Sequence, residues 1–266
     1  MFSTQRALLI RLTGLIKMEA SQSRHDRFEA IVHRIENLNS DTVAVRLGCA
    51  DITHYQAGQY LQIFIDAQTT RYYSLASAPG IDVDLQLHVR RGSAGSASRW
   101  FHEVLAVGDT VHIGAPRGKC GYQPGQPDQP LLLVCTGSGL APYYGIARAA
   151  LQHGHRAPIH LYHGVRYSEN LYLVEQLRAL ARLHSNFHYV PCVSGEERIE
   201  GCHAGRALDV ALRATPLSAA WRVYFSGHPD MVEDGWKGAL QAGVPSQAIF
   251  SDQAPSSAIL LSALAA

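Results

Sequence analysis

The run Leu131-Leu132-Leu133-Val134-Cys135 is apolar throughout and leads into Thr136-Gly137-Ser138-Gly139-Leu140-Ala141-Pro142. A strand without polar alternation has both faces covered, which is the condition of a parallel sheet flanked by helices. Two glycines one residue apart, then a helix-forming stretch from Tyr143 to Leu151, complete a strand–turn–helix unit. That order suits a dinucleotide pyrophosphate, which needs close backbone approach followed by the free N–H groups and positive end of a helix. Taken singly, the turn is equally compatible with simple chain reversal. Pro142 occupies the place of a third glycine, so the expected site departs from the standard dinucleotide fingerprint.

The rest of the chain divides around this unit. From Arg27 to about Gly121, short runs with partial alternation are punctuated by turn residues at Gly58, Ala78-Pro79-Gly80 and Gly108-Asp109. The runs are Phe28–Ile35, Thr42–Leu47, Tyr60–Ile65 and Val83–Val89. One helix is expected over Ala97–Leu105, capped by Ser96 or Ser98. The pattern predicts a small antiparallel β-barrel. After a Gly/Pro/Gln-rich linker at 123–130, strands alternate with helices. Strands are expected at 131–135, 159–163, 187–193, 223–226 and 248–251. Helices are expected from Pro142 and near 171–183, 204–213 and 231–242. The expectation is two domains: an antiparallel β-barrel over 26–122 and an α/β parallel-sheet domain over 131–253. An N-terminal extension (1–25) and a small, apolar C-terminal tail (254–266) flank them. A length of 266 residues fits two domains better than one.

Bulk chemistry narrows the function classes. A net charge of +1 gives no basic field for nucleic acid. Five widely spaced cysteines without a C-x-x-C pair argue against a disulfide framework, a zinc site and an iron–sulfur loop. The cysteine pattern fits a reducing cytoplasm, and the 14 histidines are scattered, so no metal is assigned. Leu8–Ile16 is apolar but broken by Arg11, with no cleavage site after it, so neither a signal peptide nor a membrane span is expected. Two readings stay open for this segment: an amphipathic helix, or residues upstream of a start at Met18.

Four further segments carry candidate chemistry. Arg71-Tyr72-Tyr73-Ser74 offers a bidentate cation, two phenols and a hydroxyl, a set suited to a phosphate and a flat heteroaromatic ring. Gly92-Ser93-Ala94-Gly95-Ser96-Ala97-Ser98 brings small residues to a helix N-terminus, as an anion site does. Gly114-Ala115-Pro116-Arg117-Gly118 reads as a tight turn closing the barrel. Ser226-Gly227-His228-Pro229-Asp230-Met231 follows a parallel strand, at the sheet edge where ligands bind in open α/β folds.

Arg71-x-Tyr73-Ser74, the small-residue helix cap, the Gly137-Ser138-Gly139 turn with Pro142, a His163-Gly164-Val165-Arg166 turn and the Ser226–Met231 loop, in this order, resemble the ferredoxin–NADP reductase family, which includes flavin reductases and the reductase components of oxygenases. The likeness covers about residues 26–253. It implies FAD held by the barrel, with Arg71 on a flavin phosphate, and Tyr72 and Tyr73 beside the ring. It implies Ser74 near the reactive nitrogen, and His88, Val89 and Arg90 along the flavin. Gly95, Ser96, Ala97 and Ser98 would take the pyrophosphate. Thr136, Gly137, Ser138, Gly139 and Pro142, with Ser226, Gly227, Pro229, Met231 and Asp252, would shape the nicotinamide side. Arg166 would contact the adenosine end and tilt the preference from NADH toward NADPH. Ser74 and Ser226 are the expected catalytic positions.

The implied activity passes hydride from NAD(P)H to FAD and electrons onward to a separate acceptor. That acceptor is a ferredoxin, an oxygenase component or a small flavin. Reduction of free flavin or ferric chelates, and a non-catalytic nucleotide sensor, are the alternatives. Ser226 replaces the family's usual cysteine, His228 adds a titratable group, and no aromatic residue follows Asp252. The lack of a cysteine cluster implies that the acceptor is not built into these residues.

Overall fold

The computed structural model describes residues 27–92, 96–196 and 199–253, with Ser96 described by its backbone alone. The expected extension 1–25, the tail 254–266 and Gly95 lie outside these residues.

The first half forms β1 (Arg27–Asn37), β2 (Thr42–Gly48), β3 (Tyr60–Phe64), β4 (Thr70–Ser74), β5 (Leu85–Arg90) and β6 (Thr110–Gly114). They make an antiparallel sheet in the order β4-β3-β6-β1-β2-β5. A Leu75–Leu87 bridge, with Ala76 N–H donating to the Gln86 carbonyl at 2.8 Å, joins the two ends into a barrel. Inward residues such as Val32, Val45, Leu61, Leu87 and Ile113 fill it, and Phe101 packs against them. Phe101 lies on a wide helical turn (Trp100–Val104) that continues the short helix α1 (Ser96–Arg99).

The second half runs β7 (Leu131–Thr136), α2 (Leu140–Gln152), β8 (Ile159–Val165), α3 (Val174–Leu183), β9 (Phe187–Val193), β10 (His203–Ala204), α4 (Ala207–Ala214), β11 (Arg222–Ser226), α5 (Pro229–Gln241) and β12 (Ile249–Ser251). The strands form a parallel sheet in the order β10-β9-β8-β7-β11-β12. Leu131, Leu133 and Cys135 face one apolar core, and Leu132 and Val134 face the other. This two-sided burial is why β7 reads as an unbroken apolar run, and each such leucine or valine contributes about 1.5–3 kcal/mol. Strand order reverses between β7 and β11, so the loops leaving them diverge and open a crevice.

Differences from the sequence expectation have local causes. β4 lacks apolar alternation and is a strand because β3 pairs with all five of its residues. β6 lies between glycines that read as turns. α2 starts at Leu140 because proline is tolerated in a first helical turn, where its missing N–H loses no bond. α3 waits until Val174 because Leu173 has φ +56°. β10, two residues long, is too short to show a period.

The halves are locked together beside the crevice. Arg148 of α2 donates to both Asp82 oxygens at 3.1 and 2.7 Å and to the Ala76 carbonyl at 2.8 Å. Asn39 Nδ2 donates to the Asn170 carbonyl at 2.8 Å. Gly145 lets α2 lie against the barrel, since a Cβ there would come within 2.9 Å of the Ser77 carbonyl.

Candidate active site

The carboxyl ends of β7 and β11 face β4 and β5 across a cleft of about 760 Å³. Its barrel wall includes Tyr72, Tyr73, Ser74, His88 and Arg90, and its sheet wall includes Thr136, Gly137, Ser138, Gly139 and Pro142. Ser226, Gly227, Met231 and Asp252 close one end, and Arg166 stands at the other with Arg206. The sequence motifs from both halves therefore converge.

The two glycines of the first motif have different reasons. Gly137 adopts φ +53°, a left-handed turn, and a Cβ there would meet only Arg90 Nη1 at 3.7 Å. Gly139 makes room for the neighbouring strand, since its Cβ would lie 2.6 Å from the Ser226 carbonyl. Close approach at Gly139 is thus to β11. Past this turn α2 begins with no side-chain cap and no acidic residue in its first turn. Pro142 has no N–H and Leu140 N–H is taken by the Gly137 and Ser138 carbonyls, so it is the positive end of the helix that suits an anion.

At β11, His228 N–H donates to Thr136 Oγ1 at 2.8 Å, and His228 Nδ1 caps α5 by accepting from Asp230 N–H at 3.3 Å. Pro229 follows at the first helical position. Ser226 is buried and donates to Asp252 at 2.7 Å. Asp252 is solvent-accessible as a residue, yet crowding of its carboxyl raises the pKa, opposed by the Ser226 bond. On the barrel wall Arg90 donates to Asp41 at 2.7 Å. Burial raises the Tyr73 phenol, with Arg71 opposing it.

Some expected residues lie elsewhere. Val89 points into the barrel core. Arg71 is exposed, with Nη1 donating to the Thr70 carbonyl at 2.8 Å, and does not line the cleft. Ala97 is buried, and Ser98 Oγ accepts from Gly92 N–H at 3.0 Å. Pro229 shapes α5 without lining the cleft. Asp41, Asn170, Ser194 and Arg206 line it without having been singled out. Arg206 precedes α4 and reaches the cleft only through the two-residue pairing of β10, so nothing local in the sequence marks it. Among the described residues no group of three or more His, Cys, Asp or Glu forms a metal cluster.

Two buried imidazoles belong to the cleft walls, His88 in the barrel wall and His163 behind the glycine turn. Burial, reinforced by Arg148, Arg46 and His163, pulls His88 down from 6.5 to about 3. Burial pulls His163 to about 4, against its bond to Gly137. The unfolded chain takes up protons at both as pH falls below 6.5, whereas the folded protein does not until near 4 and 3. Stability present above that range is therefore lost as pH falls through it. Urea midpoints should drop between about pH 7 and about pH 5, and His88→Gln should reduce the drop. An unchanged slope in that variant would remove His88 from the account.

The comparisons with known proteins agree with this layout. Residues 29–122 match the oxidoreductase FAD-binding domain model and residues 133–236 the oxidoreductase NAD-binding domain model. The aromatic O-demethylase reductase subunit of an Amycolatopsis species is 35% identical, over 78% of this chain and 63% of its own length. The reductase component of the Pseudomonas putida naphthalene 1,2-dioxygenase system is 30% identical, over 91% of this chain and 75% of its own. The crystal structure of an Amycolatopsis cytochrome P450 reductase superposes with a TM-score of 0.79 at 33% identity, covering 85% of this chain and 69% of that one. The chain spans 63% of the length of the Amycolatopsis relative and 61% of a Ralstonia reductase component. No described helix is long and apolar enough to cross a membrane. By these matches and by its two sheets, the chain belongs to the ferredoxin–NADP reductase family of FAD- and NAD(P)-binding oxidoreductases.

Proposed function

We propose that this protein is an NAD(P)H-dependent flavoprotein reductase that delivers electrons to a separate acceptor, an oxygenase component or a ferredoxin. The observation carrying this reading is that one cleft takes its walls from both halves, the barrel's Tyr73-Ser74 and the sheet's glycine turn with Ser226-Gly227. The residues fit the two groups. The uncapped start of α2 suits a diphosphate, the glycine turn leaves space above Gly137, and Tyr72 and Tyr73 offer flat faces. Bound there, a nicotinamide nucleotide supplies hydride, and a flavin accepts two electrons and releases them singly. The chain's own part is to position and to exclude water. Ser226 and Asp252 hold a hydrogen-bonded pair at the closed end, and Ser74 offers a hydroxyl on the opposite wall.

Arg166 and Arg206 form no ion pair among the described residues, and both line the far end of the cleft. We assign them to the adenosine end, where two guanidinium groups favour the 2′-phosphate of NADPH. Reducing surroundings, as in the cytoplasm, agree with the five free cysteines. Anaerobic mixing of the yellow protein with NADH and with NADPH tests both points. Bleaching is the expected result, and a stable colour with both donors overturns the reading. Arg166→Ala combined with Arg206→Ala should lower the NADPH/NADH efficiency ratio by roughly ten- to a hundredfold. An unchanged ratio would remove both arginines from donor selection.

A further inference from the structure

His163 lies in β8 beside Cys135 of β7, is fully buried, and does not line the cleft. Its Nε2 lies 3.2 Å from the Gly137 carbonyl. A carbonyl only accepts, so Nε2 carries the proton. Nδ1 lies 3.4 Å from the Tyr189 hydroxyl. In a neutral imidazole that nitrogen is bare and accepts, so one tautomer of the uncharged ring satisfies both contacts. Burial, which holds the pKa near 4, keeps the ring in this form at neutral pH.

The ring is also one member of a stack. Its edge meets Tyr172 at 5.4 Å between centroids and 82°. Tyr172 in turn meets His88 of β5 at 5.3 Å and 84°. The stack runs from the left-handed Gly137 turn, through the sheet half, to the barrel wall of the same cleft. An aromatic hydrocarbon would fill the volume of His163 equally well. It would leave the Gly137 carbonyl, which also accepts from Leu140 N–H, without the side-chain donor that holds it from β8.

We propose that His163 is a positioning residue for the nicotinamide-nucleotide site. Its Nε2–H fixes the Gly137 carbonyl and so the aim of the turn at residues 137–139, and the Tyr172–His88 stack sets that turn against the barrel wall. The inference rests on the reading that this turn receives the nucleotide.

The test uses the flavin-loaded protein and the variants His163→Phe, His163→Gln and Tyr189→Phe. Binding of NAD+ and NADP+ is measured by calorimetry, and reduction by stopped flow across donor concentrations. Phe keeps a ring against Tyr172 but deletes the donor, and should weaken nucleotide binding roughly tenfold. The limiting reduction rate should change much less, so the effect falls on KM. Gln places an amide N–H near the former Nε2 and should restore most of the affinity. Wild-type affinity in the Phe variant, or a Gln variant no better than Phe, overturns the proposal. A purely packing role would lower the melting temperature of both while leaving the affinity of folded protein unchanged. Should the Phe variant fail to fold, Tyr189→Phe decides: a few-fold weaker affinity supports the proposal, and none overturns it. A wild-type protein that binds neither nucleotide overturns the underlying reading, an outcome separate from the variant ratios.

Discussion

Replacing Asp82 by alanine is expected to destabilise the folded protein by about 3–5 kcal/mol. The size follows from what remains. Arg148 and Asp82 each expose only 11% of their side chains, and the guanidinium makes bonds to both carboxylate oxygens. Removing the acid leaves a buried cation with the Ala76 and Tyr144 carbonyls as partners and the Tyr144 ring beneath it at 4.0 Å, and takes the acceptor from the buried Ala78 N–H. The pair itself adds little net stability, because desolvation of two charges offsets their attraction. An Asp82→Ala/Arg148→Met double variant removes the unpaired charge and should recover part of the loss, the Ala78 N–H and Ala76 carbonyl staying without these partners. Urea unfolding of the two variants measures this, and a single variant as stable as the parent would show that water reaches the pair. Because the pair joins α2 to the barrel, the single variant should also loosen the cleft.

Gly227→Ala should slow flavin reduction by NAD(P)H on the order of a hundredfold while leaving flavin content unchanged. A Cβ at this position would lie 2.2 Å from Thr136 Oγ1 and 2.7 Å from the Thr136 carbonyl. The backbone has φ +122°, a region nearly closed to other residues. Relief requires the β7 and β11 turns to separate, breaking the bond from His228 N–H to Thr136. A displacement of about an ångström at a reacting centre is enough for such a loss in rate. Gly243→Ala is the control: it has φ +83° with nothing within 4 Å, so it carries backbone strain without a clash. Stopped-flow reduction near the parental rate in Gly227→Ala would show that the turn does not aim the nucleotide.

Legibility in the sequence followed the range of the forces involved. β7 was readable because burial on two faces leaves no polar position in the run, and the barrel strands β1, β2, β3 and β5 showed their alternation. β4 was not, because Tyr72 and Arg71 are exposed and its strand character comes from β3, a neighbour in space. Glycine, serine and tyrosine motifs located most of the cleft wall because each carries its chemistry locally. Arg206 and Asp41 escaped because they reach the cleft through strand pairing and an ion pair with Arg90. His163 stood out in the sequence only as the first residue of the His163-Gly164-Val165-Arg166 turn. Its meaning lies in a carbonyl 26 residues away along the chain.

Ser226 has a consequence for chemical durability. The cleft wall contains no cysteine among the described residues, and the thiol of Cys120, in a smaller adjoining cavity, is pushed up by burial. Cys135 and Cys192, deeper in the sheet, are pushed up as well. Alkylating agents and peroxide attack thiolates, and these three thiols stay protonated. With a hydroxyl at Ser226, the end of β11 offers such reagents no thiolate to modify.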